Sequence, residues 1–303
     1  MNAKVDAARI SVLSNTLLVA MKLTVGFLMH STSVIAEGIH SGIDLAAAVI
    51  AYFSVKQASA PPDEDHPFGH GKYENVSGAV EALLIFVAAA LIIYESAEKL
   101  KGGVELVSPG LGAAVMAVSA LVNFFVSNHL LRVARENDSV ALEADALHLR
   151  TDVYTSLGVF AGLLAIKVTG LEILDPITAI LVAFLILKAA WDLTRECLKN
   201  IVDVRLTEED EAMIRQVLSE NAGEYLEYHK LRTRKSGAER HIDLHVVVPQ
   251  SYSVADGHHL AGKIKAEIMA KLPNAHVLIH IEPCNNCCPD CQNSCPVEEE
   301  KRG

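Results

Sequence analysis

Six stretches of the chain are long and apolar enough to cross the hydrocarbon core of a bilayer, which at about 30 Å takes about 20 residues of helix. They fall near 10–29, 34–55, 77–97, 111–131, 142–167 and 176–193. In lipid every backbone polar group must find its partner inside the protein, so such stretches fold as helices. The expected fold is an α-helical membrane protein with six transmembrane helices. A hydrophobic share of 51% suits several spans. The second and fifth stretches are diluted by ionisable residues, which are rare in lipid without a partner or a function.

Basic residues set the expected topology. Lys4 and Arg9, Lys56 and Lys72, Arg132 and Arg135, and Arg195, Lys199 and Arg205 fall on one side. The other side holds Lys99, Lys101 and Lys167. The positive-inside bias then puts both termini of a multi-pass protein in the cytoplasm. The first stretch is too long, and too polar at Ser11, Ser14, Asn15 and Thr16, for a cleaved leader.

Residues 1–203 make up this membrane domain, and after about Asp203 the composition becomes that of a soluble domain. Thr207, followed by acids, reads as an N-cap, and a helix runs on towards Ala222. Strands are expected near 228–234, 241–248 and 275–281, with a helix over 255–271. Residues 204–284 therefore predict a small cytoplasmic α+β domain, α-β-β-α-β and metallochaperone-like in order, with helices on one face of a sheet. A tail at 285–303 reads as flexible.

The ionisable residues inside the second and fifth stretches are two phrases of one form, His40-Ser-Gly-Ile-Asp44 and His148-Leu-Arg-Thr-Asp152. Residues four apart share a helix face, so each phrase aims one imidazole and one carboxylate the same way. Together they supply two nitrogen and two oxygen ligands, a complete shell for a zinc-like ion. A polar contact between helices would explain one such pair; two matched pairs point to a shared metal site. Two carboxylates neutralise a dication and offset the cost of burying it. Imidazole must lose its proton to bind metal, and its reference pKa of about 6.5 makes metal and protons competitors. A site that faced each side in turn could then expel metal down a proton gradient. The chain has no Walker-type phosphate loop, and neither a nucleotide nor an organic cofactor is expected.

Further candidate ligands lie outside the spans. The loop Asp63-Glu-Asp-His66-Pro-Phe-Gly-His70 gathers Asp63, His66 and His70 around bend-forming residues; a solvated turn is the alternative. The soluble domain offers His229, His245, His258 and His280, with Glu282 beside the last. Cys284, Cys287, Cys288, Cys291 and Cys295 put five thiols into twelve residues. In the reducing cytoplasm they suit metal better than disulfides, and we expect metal capture or sensing there, the alternative being a tail with incidental thiols. A net charge of −11 argues against a nucleic-acid partner.

These motifs, with the Asp65-His-Pro-Phe-Gly-His-Gly-Lys72 phrase, resemble the cation diffusion facilitator family in its bacterial zinc and iron branch, over about residues 8–284. The resemblance implies a homodimeric antiporter in the bacterial inner membrane that exports divalent metal in exchange for protons. It makes His40, Asp44, His148 and Asp152 the transport site, and Asp63, His66 and His70 a loop site. His229, His245, His280 and Glu282 become a two-ion cytoplasmic site joined by His258, where metal regulates the dimer. Lys72 and Asp203 match an interlock between protomers. Some members carry Asp in place of His40, a difference that bears on selectivity, and some carry Asp in place of Glu282. Zinc ranks first for the nitrogen and oxygen shell, iron(II) second, and manganese, which favours oxygen, lower. A membrane-anchored metal sensor or scaffold is the alternative function. An enzyme is not expected, because the shell leaves no open position and no His-Glu-x-x-His phrase occurs.

Overall fold

The computed structural model describes residues 3–28, 32–102, 111–169 and 173–284, and the chain divides into two compact units, Met1–Ile201 and Val202–Gly303. The first unit is built from α1 (Ala3–Leu28), α2 (Thr32–Ala58), α3 (Lys72–Gly102), α4 (Leu111–Asn137), α5 (Val140–Thr169) and α6 (Leu174–Ile201). At 1.5 Å per residue, helices of 26 to 31 residues exceed the hydrocarbon thickness. Among the described residues, five helices are long and apolar enough to cross a membrane. The sixth expected span corresponds to α5, whose first half carries Glu143, Asp145, His148, Arg150 and Asp152.

Packing in this unit inverts the soluble pattern. Leu13, Leu17, Phe27, Leu83, Leu185 and Trp191 are exposed, whereas Ala47, Ala48, Ala51, Ala82, Ala89, Ala144, Ala183 and Ala190 are fully buried. Among lipid tails apolar exposure is not penalised, so helices associate through close contact of small residues and through polar groups. α1 packs on α2, α3 on α6 and α4 on α5. Gly78 shows how close α3 and α6 come: a Cβ there would lie 2.8 Å from the Cys197 sulfur.

α1 and α3 begin earlier than hydropathy predicts, at Ala3 and Lys72 rather than near 10 and 77. Their polar first turns fold because they satisfy each other. Lys4 Nζ lies 2.7 Å from Glu74 Oε1, and the Ser139 hydroxyl donates to Glu74 Oε2 at 2.5 Å. Glu74 is completely buried by this arrangement.

The second unit holds α7 (Glu208–Glu220), β1 (Glu227–Ser236), β2 (Glu239–Val248), α8 (Val254–Lys271) and β3 (Ala275–Pro283). Thr207 caps α7 by accepting from the Asp210 N–H, and Ser253 caps α8 reciprocally with Asp256. Thr207→Ala is expected to remove about 1 kcal/mol from this unit, measured as a lower denaturant midpoint with unchanged slope; an unmoved midpoint would contradict the cap's role.

The sheet runs β1-β2-β3, antiparallel between the first two and parallel between the last two, with α8 as the crossover. Alternation along β2 buries Ile242, Leu244, Val246 and Val248 against Ile214, Val217 and Leu218 of α7 and Leu260, Ile264 and Ile268 of α8. A period of two sends His241, Asp243 and His245 to the opposite, helix-free face. The fold therefore concentrates its polar chemistry on one side of the sheet.

Candidate metal centres

The two His/Asp phrases meet inside the first unit. His148 Nε2 lies 3.1 Å from Asp44 Oδ1, and His40 Nε2 lies 4.0 Å from the same oxygen. His40, Asp44 and Asp152 each bring a ligand atom within 4.8 Å of the others. One imidazole and two carboxylates thus gather at one point between α2 and α5, and His148 brings a second imidazole beside Asp44. Ligands on a tetrahedral zinc stand about 3.3 Å apart, given bonds of about 2.0–2.1 Å, so small rotations would close the shell. Asp44 and His148 are buried, whereas the His40 side chain is 51% exposed and leaves the cluster open on one side.

Neighbouring helices supply support that the spacing does not announce. Asn123 on α4 donates to Asp152 Oδ2 at 3.0 Å, fixing that carboxylate. Lys22, buried on α1, donates to the Ser41 hydroxyl at 2.8 Å, and its charge acts on Asp152. Sequence reasoning also passed over Glu81 on α3 and Asp145 on α5. Both are fully buried and act on each other electrostatically; both oxygens of Glu81 and one of Asp145 have no hydrogen-bond partner among the described residues. Ionisable residues within spans are the signal that would have flagged all three.

A second group forms in the loop between α2 and α3. Asp63 Oδ1 sits 3.1 Å from His66 Nδ1, Asp63 Oδ2 sits 3.2 Å from His70 Nε2, and the two rings lie 4.4 Å apart. The His66 N–H donates to Asp63 Oδ1 at 2.6 Å, and this contact, with smaller help from the His66 and His70 rings, holds the Asp63 carboxyl below its usual range. Gly69 closes the turn at φ 79°, a conformation that favours glycine, and brings buried His70 back onto the group.

In the second unit His229, His245 and Glu282 converge. Glu282 Oε1 lies 2.6 Å from His245 Nδ1 and Glu282 Oε2 3.2 Å from His229 Nε2. The hydrogen bond with His245 is the main reason the Glu282 carboxyl titrates below its ordinary value. Strand register builds the group, because His229 faces His245 across β1/β2 and His245 faces His280 across β2/β3. His280 flanks it, 3.7 Å from Glu282, whereas His258 sits on the exposed surface of α8 and is not part of the converging group.

The remaining candidates are placed as follows. Cys284 is buried at the end of β3, where its N–H donates to the Val248 carbonyl. Cys287, Cys288, Cys291 and Cys295 lie outside the described residues. Lys72 donates to the Ile201 carbonyl at 3.3 Å, and Asp203, with φ 59°, pairs with Arg234 at 3.5 Å.

Two family models cover most of the chain. The model of the cation efflux transmembrane domain matches residues 8–202, and that of the cation efflux protein, cytoplasmic domain, matches residues 206–284. Similar proteins include the uncharacterized transporter sll1263 of Synechocystis sp., 34% identical over 87% of this chain and 85% of that protein. The cation-efflux pump FieF of Serratia proteamaculans is 29% identical over 89% of each chain. The manganese efflux system protein MneS of Bacillus subtilis is 26% identical over 92% of this chain and 95% of that protein.

Proposed function

The chain belongs to the cation diffusion facilitator family, a family of divalent cation efflux transporters, and from that premise we propose that it exports Zn2+, with Fe2+ as second cargo, from the cytoplasm in exchange for protons. One observation supports the choice of cargo and site: His40, Asp44 and Asp152 gather between α2 and α5, and His148 adds a second imidazole 3.1 Å from Asp44. Zinc accepts a tetrahedral nitrogen and oxygen shell without ligand-field loss, and iron(II) tolerates the same donors. Manganese prefers more oxygen than this set provides, although one relative is a manganese efflux protein.

Proton exchange follows from the ligands. Each imidazole that takes metal must be neutral, and each that releases metal can take a proton. Alternating access then links the two flows: metal enters from the cytoplasmic side, and protons from the opposite side displace it. α5 acts as the sixth span, its polar residues held between neighbouring helices rather than facing lipid. The protein works as a homodimer in the inner membrane, with both termini cytoplasmic and Lys72 and Asp203 at the junction of protomers. Metal on His229, His245, His280 and Glu282 regulates it by binding more tightly in one state than in the other.

In proteoliposomes carrying the native chain, zinc uptake should follow an imposed pH gradient and stop when an ionophore collapses that gradient. The order of rates should be zinc, then iron(II) under anaerobic conditions, then manganese. Zinc binding without flux in a folded protein would instead favour a membrane-anchored sensor or scaffold.

A further inference from the structure

The helix-free face of the sheet carries more histidine than the His229–His245–Glu282 group uses. The parallel register that sets His245 beside His280 also sets His241 beside His276, four residues earlier on both strands. At about 3.3 Å per residue the two rungs lie about 13 Å apart, too far for one ion to touch both. The earlier rung has its own carboxylate. Glu239 Oε2 lies 3.7 Å from His276 Nε2 and 4.0 Å from His241 Nε2. The two imidazole rings stack with centroids 5.2 Å apart and planes at 17°, so a turn of the exposed His276 ring is needed for both nitrogens to reach one ion.

We propose that Glu239, His241 and His276 form a further binding site for a divalent transition-metal ion, separate from the His229–His245–Glu282 group on the same face of the sheet. The donors are two imidazoles and one carboxylate, leaving a fourth position for water. Zinc, cobalt(II) and other ions of borderline softness suit such a set, whereas magnesium and calcium do not.

The surrounding charge fits a cation. Arg234, from the facing position on β1, pairs with Asp203 at 3.5 Å, and Arg232 pairs with Asp243 at 3.3 Å. Both guanidinium groups thus pair with carboxylates, and Glu239 is the acid within 4.0 Å of both rings. His276 is 58% exposed and Glu239 37%, so an ion approaches from their side, while His241 Nε2 is buried behind them. A site with a free fourth position exchanges its ion readily.

The site is independent of the transport reading, so its test is a binding measurement. Purified full-length protein in detergent is equilibrated with zinc at pH 7, and bound metal per chain is counted for the native protein, for His241→Ala/His276→Ala and for His245→Ala/His280→Ala. The first pair of substitutions should remove about one zinc per chain, and should remove the same amount when added to the second pair. His276→Gln changes an exposed side chain and should weaken one equivalent by about tenfold or more while the protein stays folded. Native stoichiometry in His241→Ala/His276→Ala, no further loss when the pairs are combined, or native affinity in His276→Gln would each overturn the proposal. pH-driven zinc flux, recorded on the same preparations, reports separately on the transport site.

Discussion

Replacing Asp44 by Ala should abolish gradient-driven metal flux, a loss of roughly two orders of magnitude or more, since removing even an outer partner of a metal ligand typically costs about 10- to 100-fold. Asp44 occupies the middle of the cluster: one of its oxygens lies 3.1 Å from His148 and 4.0 Å from His40, and its carboxylate groups with Asp152. Without it the shell keeps three ligands and one negative charge, so a bound dication would leave a net positive charge in a low-dielectric setting. Asp44→Asn separates charge from shape; it should fail almost as badly, because the amide preserves volume but not charge. His40→Asp should behave differently. It adds oxygen to the shell, so flux should persist and shift towards metals that prefer oxygen. The readout is initial uptake in proteoliposomes at matched protein content. Native-like zinc uptake by Asp44→Ala would move the pathway away from α2 and α5.

The local half of this arrangement was legible in the sequence as geometry, whereas the long-range half was expected only from the matching of the two pairs. Spacing alone places His40 and Asp44 on one face of α2, and His148 and Asp152 on one face of α5, because helix geometry is fixed. That the faces meet across 104 residues rests on helix packing, which no spacing encodes. The loop group was easier, since Asp63, His66 and His70 need only a turn that Gly69 permits. In the soluble unit the alternation of β2 revealed which residues share a face. The pairing of His241 with His276 depends on the parallel register through α8, a tertiary feature, and went unseen. Hydropathy also misled in a consistent direction. It trimmed the polar first turns of α1 and α3 and ignored Lys22, Glu81 and Asp145, since a window average does not register that buried polar groups can satisfy or act on one another.

The polar first turns also set the second large effect. Lys4→Ala should destabilise the first unit by about 3 kcal/mol or more, the usual consequence of stripping one partner from a buried ion pair. Glu74 is completely buried, and Lys4 at 2.7 Å is the cation that answers its charge; Ser139 alone would then face a carboxylate that water does not reach. The pair ties the start of α1 to the start of α3, and Ser139 adds the start of α5, so the loss should appear as early fraying of all three helices. A companion variant tests the cause. Lys4→Met/Glu74→Gln removes both charges while keeping most of the volume, and it should recover much of the stability lost in Lys4→Ala, because an unpaired buried charge is worse than no charge. Thermal unfolding in detergent, followed by helical signal and by the accessibility of introduced thiols near Ser139, gives both numbers. A native midpoint for Lys4→Ala would show that the pair contributes nothing to the bundle. A double variant no better than the single one would show that packing of the long side chains, rather than their charge, holds the three helix starts together.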